Sequence, residues 1–577
     1  MGFEPENIDN GVRRAAAPRR RTTSARSGCS ARAIRIGTAA IRSLQNLGVL
    51  CLLALIVLAS MPNRADEPAC ATAPTRTPCQ LFPPGPSIAD HSGNHDQEFF
   101  WIFFNAYADE WNRMPSADPD APPTRRPESE VPPVPMTNPP MPFTDWPIGA
   151  TQVIGGATPN SVDSPLMEAL IGGTPIGKPL EDAHVQIYGW IDAGGNVSSA
   201  NHGFGGNAPV ADSFTQDTVQ LDQAVVYIER VPDTVQKTSV DWGFRFAPTY
   251  GENYRYTTAL GFFSNQLVNQ NRFNGFDMPM AYGEVFVPFV ADGVLFRFGR
   301  YITLPDIEAQ LAPNDYLYTR SITYSVDNYS TTGVNGSLKI DRNWLLQVGI
   351  GSGTETVPWN ARSISIPGYN GPRDPGAQAS LSGCVQYQTD SGHDAAYLCV
   401  DDLNNARWGY NNMNWYGGTY YHKFNEQVHV AFEGYYMYQR DVWNKAYKGR
   451  GYVNNPVDPY FGTPWYGMAN PPRQAICNSA LPTCTANEYG LLAFWNYRIG
   501  TFDNLTLRTE FYDDMKGQRT GFATRYIDIA AGWQHWIGPQ LEVRPEIGYY
   551  RAPDVAAFDN GTARRLWFFG GDITWHF

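Results

Sequence analysis

The chain has 577 residues, with 43 Lys and Arg against 56 Asp and Glu, a net charge of −13, 14% aromatic residues and only 17% charged ones. A mean hydropathy of −0.37 excludes a helical membrane protein, and the acidic balance makes a poor nucleic-acid binder. The 32 Tyr and 54 Gly suit a large β-protein with aromatic girdles and glycine-rich turns.

Residues 1–65 hold ten Arg, no Lys and the three acids Glu4, Glu6 and Asp9. The remainder therefore has 33 basic and 53 acidic residues, a net charge of −20. An unbroken apolar run, 47–59 (LGVLCLLALIVLA), follows the basic stretch. It is too short to span a membrane as a helix and has the length of a signal-peptide core. A secretory leader over 1–65 is predicted, cleaved after Ser60 or Ala65. Its basic lead is long, so either the leader is extended or the start codon lies upstream of the true one. Residues 66–147 are predicted to form a periplasmic N-terminal segment. Within it, 94–114 (NHDQEFFWIFFNAYADEWNRM) is apolar on most sides. It reads as a short helix that needs cover, from the β-domain that follows or from another subunit. Twelve prolines stand between 115 and 147, an extended linker of polyproline type.

From 148 to 577 the pattern is β. Strands are read at 184–191, 219–230, 239–247, 254–260, 281–289, 294–301, 332–340, 344–350, 413–424, 427–439, 489–499, 504–512, 525–536, 540–550 and 565–577, fifteen in all. The last three alternate most plainly. Ile527, Ile529, Ala531 and Trp533 oppose Asp528 and Gln534; Leu541, Val543, Ile547 and Tyr549 oppose Glu542, Arg544 and Glu546; Trp567, Phe569, Ile573, Trp575 and Phe577 oppose Asp572 and Thr574. Strands of about ten residues, apolar outside and charged inside, match a transmembrane barrel, whereas strands in soluble proteins average about five or six. Phe577 lies on the apolar face and resembles the last residue of bacterial outer-membrane barrels, the signal that the assembly machinery reads.

Long connections (197–218, 261–280, 302–331, 351–412, 440–488) alternate with short ones (290–293, 341–343, 425, 500–503), as outer loops alternate with periplasmic turns in barrels. Closure with both termini on one side needs an even number of strands. The expectation is therefore an all-β fold, a transmembrane antiparallel up-and-down β-barrel of about 16 strands, with a further strand near the N-terminal side inside 197–218. Fourteen strands, with one false reading, is the alternative.

Cys29 and Cys51 fall in the leader. The other six Cys form close pairs, Cys70/Cys79, Cys384/Cys399 and Cys477/Cys484, all outside the strand-like segments. Disulfides in an oxidising compartment are predicted. A metal site is the weaker alternative, since no His stands at ligand spacing near the last two pairs.

The stretch 281–333 runs AYGEVFVPFVADGVLFRFGRYITLPDIEAQLAPNDYLYTRSITYSVDNYSTTG. It resembles the OmpL-like β-barrel porins: an alternating strand, a tight turn, a strand ending in a GR-[FY] step, then an acidic and aromatic-rich segment. DWPIGATQVIGG, SPLMEALIGG, VQIYGWIDAGGN, LDQAVVYIERVPDT and DWGFRFAPTYG extend the likeness over about 143–577. The resemblance implies a pore in the outer membrane of a Gram-negative-type envelope and names no solute.

Alternation places Glu229, Asp241, Arg245, Glu284, Arg297, Glu433, Arg508, Glu510, Asp528, Glu542, Arg544 and Glu546 on the inner face, eight acids and four Arg. Each is either a pore-lining charge that sets ion preference or a paired structural charge in a wet lumen. Segment 302–331 carries Asp306, Glu308 and Asp315, then Tyr316, Tyr318 and Tyr324. It either folds inward as a constriction, with its rings as a track for sugars, or packs outward. No GxSxG elbow, HExxH or phosphate loop is present, so no enzyme, catalytic residue, metal or cofactor is expected. The expected function is a porin for passive diffusion of small solutes across the bacterial outer membrane, preferring cations or neutral solutes. The alternative is a plugged barrel whose disulfide-bonded loops bind a partner or a surface layer. Expected partners are outer-membrane lipids and lipopolysaccharide, the barrel assembly machinery, small solutes and, as one option, further copies in a homotrimer.

Overall fold

The computed structural model describes residues 95–112, 154–155 and 164–577, except 269, 304–306, 309–310, 361–376, 406–412, 426, 445, 448–474, 501 and 538–539. The leader, the proline-rich linker, Cys70, Cys79 and Asp306 lie outside the described residues. Helix α1 (His95–Asn112) is followed by α2 (Pro165–Gly173) and α3 (Gly177–Asp182). α2 begins where it does because Ser164 caps it, its hydroxyl accepting from the Met167 amide at 3.1 Å, with Pro165 in the first turn.

The rest of the chain is one antiparallel sheet. Its segments are β1 (Gln186–Ser198), β2 (Val219–Arg230), β3 (Asp241–Phe246), β4 (Thr249–Gly251), β5 (Gly275–Asp277), β6 (Ala281–Val287), β7 (Val294–Ile302), β8 (Ser330–Lys339) and β9 (Trp344–Gly351). They continue as β10 (Ser380–Gln388), β11 (Asp394–Leu403), β12 (Asn414–Lys423), β13 (Val428–Trp443), β14 (Thr483–Arg498), β15 (Asp503–Asp514), β16 (Thr524–Ile537), β17 (Leu541–Arg551) and β18 (Arg565–His576). β3 and β4 both pair with β2 and form one barrel strand, broken where Pro248 offers no amide. β5 and β6 pair with β4 and β3 as its neighbour. The 18 segments therefore make a barrel of 16 strands, closed where β1 pairs with β18. Phe577 completes the seam, exchanging both backbone hydrogen bonds with Gly189 at 3.0 and 3.1 Å.

The number 16 agrees with the sequence, but the route to it differs. Residues 254–260 are not a strand: Tyr254–Thr257 is a helical turn. Nor does 199–218 hold one, beyond an isolated bridge from Ala211 to Arg320. The two unread strands are β10 and β11, inside what reads as one long loop. This also corrects the setting of the second Cys pair. Cys384 and Cys399 are strand residues facing each other across the β10–β11 hairpin, disulfide-bonded and buried. Cys477 and Cys484 are bonded too, the latter at the start of β14.

Side chains alternate across the wall. On β18, Leu566, Phe568, Asp572 and Thr574 are buried, whereas Trp567 and Phe569 are exposed. Outward rings gather at two levels. Near the short turns stand the pairs Trp344/Tyr387, His422/Phe424, Trp533/His535 and Trp575/Phe577. Near the long loops stand Tyr416/Tyr438, Tyr489/Phe511 and Tyr549/Trp567. From Trp567 to Phe577 the strand advances ten residues, which at about 3.3 Å each and a tilt of about 40° gives a band roughly 25 Å tall. An apolar band of that height between aromatic girdles is the outer surface of a transmembrane barrel. Ile573 lies within this band, so Ile573→Lys is expected to destabilise the reconstituted barrel by about 2–4 kcal/mol at mid-depth. Urea unfolding in vesicles reads this, with Thr574→Ala on the inner face as the mild comparison.

The GR-[FY] step has a local cause. Gly299 takes φ +131°, and a Cβ there would lie 2.3 Å from the Ala281 carbonyl oxygen. The next residue, Arg300, turns inward and donates from Nη1 to Asp277 Oδ1 at 2.8 Å.

Candidate functional site

Between β7 and β8 lies segment 303–329, whose described residues (303, 307–308 and 311–329) run inside the barrel. Its anchors lie far from its root. The Ile307 amide donates to Glu433 of β13 at 2.9 Å, and the Ala312 amide to Gln223 of β2 at 3.1 Å. The Thr319 amide donates to Glu546 of β17 at 2.8 Å, and the Ile322 amide to Glu510 of β15 at 3.0 Å. In return Arg508 donates to the Thr319 carbonyl at 2.7 Å, Arg544 to the Ala312 carbonyl at 2.6 Å, and Tyr435 to the Thr323 carbonyl at 2.9 Å. β15 stands eight strands from β7 in a barrel of 16. A segment rooted at β7 and bonded to β15 therefore crosses the lumen.

The geometry explains why carboxylates and guanidinia line this part of the wall. A strand offers no free backbone groups to its own lumen, because the ladder uses them. A segment crossing the lumen has amides and carbonyls that must be satisfied by side chains. From the wall, Glu433, Glu510 and Glu546 supply acceptors and Arg508 and Arg544 supply donors; Arg519, in the connection between β15 and β16, donates to the Val326 carbonyl at 2.6 Å. A one-turn helix, Ile322–Val326, sits within the segment and is capped by the Ser321 hydroxyl, which accepts from the Tyr324 amide at 3.0 Å. Ser321 also donates to Glu308.

Arg508 is the hub. It is fully buried, donates from Nε to Asp528 at 2.6 Å, and bonds the Thr319 hydroxyl at 3.0 Å and the Tyr550 hydroxyl at 2.9 Å. Glu308 and Glu546 each lie 3.7 Å from it. Arg544 donates from Nε to Asp572 at 3.0 Å, and Arg320 bridges Asp315 at 2.7 Å and Asp212 at 3.2 Å. Burial pushes the Glu308 carboxyl up to about 7, with Arg508 opposing, and Asp212 up to about 6, with Arg320 opposing. Among the described residues, 22 Asp and Glu are buried against eight Arg and no Lys. No group of His, Cys, Asp and Glu among them is arranged to hold a metal ion.

The family model described as "Putative beta-barrel porin-2, OmpL-like" matches residues 184–577, the whole of the barrel. The chain belongs to this porin family. No curated protein sequence matches it. Matches among solved structures include the outer membrane channel DcaP of Acinetobacter baumannii, 11% identical over 68% of this chain and 97% of that one, with a TM-score of 0.39. An anion-selective porin from Comamonas acidovorans is 10% identical over 68% and 99%, with a TM-score of 0.41. The trimer form of OmpT from Vibrio cholerae is 11% identical over 68% and 99%, with a TM-score of 0.38. Likeness of this extent carries nothing about solute or selectivity.

In the porin, the inner-face residues read from alternation fall into three groups. Glu433, Arg508, Glu510, Arg544 and Glu546 hold segment 303–329, and Asp528 and Glu542 accompany the two guanidinia, the latter accepting from Gln534. Glu229 pairs with Arg245 at 2.6 Å and Glu284 with Arg297 at 2.6 Å, each Arg lying over a tyrosine, Tyr227 and Tyr282 respectively. Asp241 is at the short-turn rim, where it accepts from the Asp233 amide at 2.7 Å and pairs with Arg230 at 3.0 Å. Tyr316, Tyr318 and Tyr324 do not form an exposed track: all three are buried, against Phe494, Phe568 and Tyr329. Unread in the sequence were Asp212 and Arg320, both in loops without period, and the Asp277–Arg300 pair at 2.8 Å. Asp572 was legible, since it opposes Ile573.

Proposed function

We propose that this porin is an outer-membrane channel for passive diffusion of small solutes, with segment 303–329 as its constriction and a preference for cations and neutral solutes over anions. What supports the preference is the charge balance among the described residues, 22 buried acids against eight Arg. Fixed negative charge between low-dielectric walls attracts cations and raises the barrier for anions. Screening over about 8 Å at physiological salt restricts the effect to charges near the ion path. Glu308 and Asp315 at the crossing therefore weigh more than the net charge of the chain. The leader over 1–65, the periplasmic segment over 66–147, and the partners (lipid and lipopolysaccharide, the assembly machinery, a homotrimer) belong to the same reading.

The test is the reversal potential of the reconstituted protein in a planar bilayer under a KCl gradient. The wild type is expected to prefer K+, and Glu308→Gln with Asp315→Asn to prefer it less, because Arg508 and Arg320 keep their charge. Anion preference in the wild type refutes the sign. The pH dependence follows from burial. Glu308 titrates at about 7 and Asp212 at about 6, so both lose charge as pH falls from 8 to 5. Cation preference is expected to weaken across that window, whereas carboxyls at ordinary values would hold it until about pH 4. A selectivity flat from pH 8 to 5 would remove these two groups from the path.

A second reading, a plugged barrel, is favoured by the density of bonds between segment 303–329 and the wall. A wild type with no conductance would select it.

A further inference from the structure

The charges inside the barrel leave some outward ones unexplained. At their long-loop ends β17 and β18 place Arg551 directly opposite Arg565. Alternation turns both outward: Tyr550 and Leu566, their neighbours in the chain, are buried, whereas Arg551 and Arg565 are exposed. Directly opposed residues of an antiparallel pair have Cβ atoms about 4.5–5.5 Å apart, and like charges so placed destabilise the pair. Neither guanidinium has a hydrogen-bond or ion-pair partner among the described residues. The acids near them are taken. Asp554 accepts from Arg525 of β16, from Nε at 2.9 Å and from Nη2 at 2.6 Å. Asp513 stands opposite Arg525 and accepts from the Tyr489 hydroxyl. The adjoining Arg564 donates to the Pro553 carbonyl and adds a further positive charge.

The height of the pair on the wall is fixed by its neighbours. Tyr549 and Trp567, two residues nearer the middle of each strand and on the same face, have ring centroids 4.6 Å apart. Two residues at about 3.3 Å each, tilted by about 40°, set Arg551 and Arg565 about 5 Å beyond that girdle. Girdle rings lie at headgroup level. The two arginines therefore stand among the phosphates of the leaflet on the long-loop side. A guanidinium binds phosphate through paired N–H groups. A phosphodiester, as in phosphatidylglycerol, carries a single negative charge. A phosphate monoester carries about −1.5 to −2 near neutral pH and so balances two guanidinia.

We propose that Arg551 and Arg565 form a binding site for a phosphate monoester of lipopolysaccharide, whose acyl chains lie along Trp567 and Phe569, the outward residues of the same strand. The proposal rests on the outer-membrane reading above, and the test separates the two.

The full chain is reconstituted in phosphatidylcholine vesicles, and flotation reads its insertion. Native mass spectrometry in detergent then reads binding of four probes: lipid A with two phosphate monoesters, the same lipid dephosphorylated, phosphatidylglycerol and inorganic phosphate. The proteins are the wild type, Arg551→Gln with Arg565→Gln, and Arg342→Gln, whose partner at the short-turn end is Asp390. Lipid A is expected to bind the wild type and Arg342→Gln at least tenfold more tightly than the other probes do, and the double variant at least tenfold more weakly. In phosphatidylcholine alone, where no phosphate monoester separates the two charges, the double variant is expected to unfold at a higher urea concentration than the wild type. Undiminished binding of lipid A to the double variant, or an equal loss in Arg342→Gln, overturns the site. Equal binding of dephosphorylated lipid A or of phosphatidylglycerol overturns the phosphate monoester as its ligand, and displacement of lipid A by equimolar inorganic phosphate overturns the lipid. A lower urea midpoint for the double variant overturns the unrelieved repulsion. All of these leave the barrel in its membrane. A chain that does not float with the vesicles overturns the membrane reading and the site with it.

Discussion

Replacing Arg508 by Ala is expected to destabilise the barrel by about 3–5 kcal/mol, the cost of removing one partner from a buried ion pair. The substitution leaves Asp528 without its 2.6 Å donor and withdraws the positive charge that Glu308 and Glu546 face at 3.7 Å. It also deletes the bonds to the Thr319 carbonyl and hydroxyl, the middle of segment 303–329. Two consequences separate in measurement. Urea unfolding in vesicles reads the lost stability. Limited proteolysis of the folded barrel reads release of the segment, which should become cleavable near Thr319. Arg508→Ala combined with Asp528→Asn should recover part of the loss, because the carboxylate is no longer stranded. A cost below about 1 kcal/mol would show that the site is hydrated and its ion pairs behave as surface pairs do.

Excising 307–326 and joining the ends with a Gly-Ser linker is expected to raise single-channel conductance several-fold. The wall should survive, because β7 and β8 pair directly from Val294/Leu338 to Ile302/Ser330. The excised piece takes Glu308, Asp315 and Arg320 with it, a loss of one net negative charge, so the acidic excess of the lumen remains. Cation preference should nevertheless fall, since a wider path places ions beyond the screening length of about 8 Å from the wall charges. An unchanged conductance would mean that the segment does not obstruct the ion path. A silent wild type with a conducting excision variant would mean that the segment is a plug.

Legibility followed the chemistry of the faces. β16, β17 and β18 read correctly because one face meets lipid and the other holds charge, as in Ile527 and Ile529 against Asp528. The pattern is then written residue by residue. β10 and β11 did not read. The inner face of β10 is Ser380, Ser382, Cys384 and Gln386, with only Leu381, Val385 and Tyr387 marking its outer one, and the inner face of β11 is the mixed row Ala395, Tyr397, Cys399 and Asp401. Small and weakly polar residues blur the alternation, and the hairpin passed for a loop. Residues 254–260 failed in the opposite way: Tyr, Arg and Thr alternate there, but the segment turns inward as a helical turn. There Arg255 pairs with Glu252 at 2.8 Å instead of joining the wall.

The sequence by itself determined the barrel, its even strand number and its two faces, with charges on the inner one, because a membrane imposes period 2 on every strand it touches. It did not contain the use of those charges. Glu510 accepts from Ile322 across 188 positions, and Arg544 donates to Ala312 across 232. No local pattern encodes such a pairing. Only closure of the barrel brings the far wall within hydrogen-bonding reach of the crossing segment. Its backbone groups, barred from the strand ladder, then take the carboxylates and guanidinia as partners.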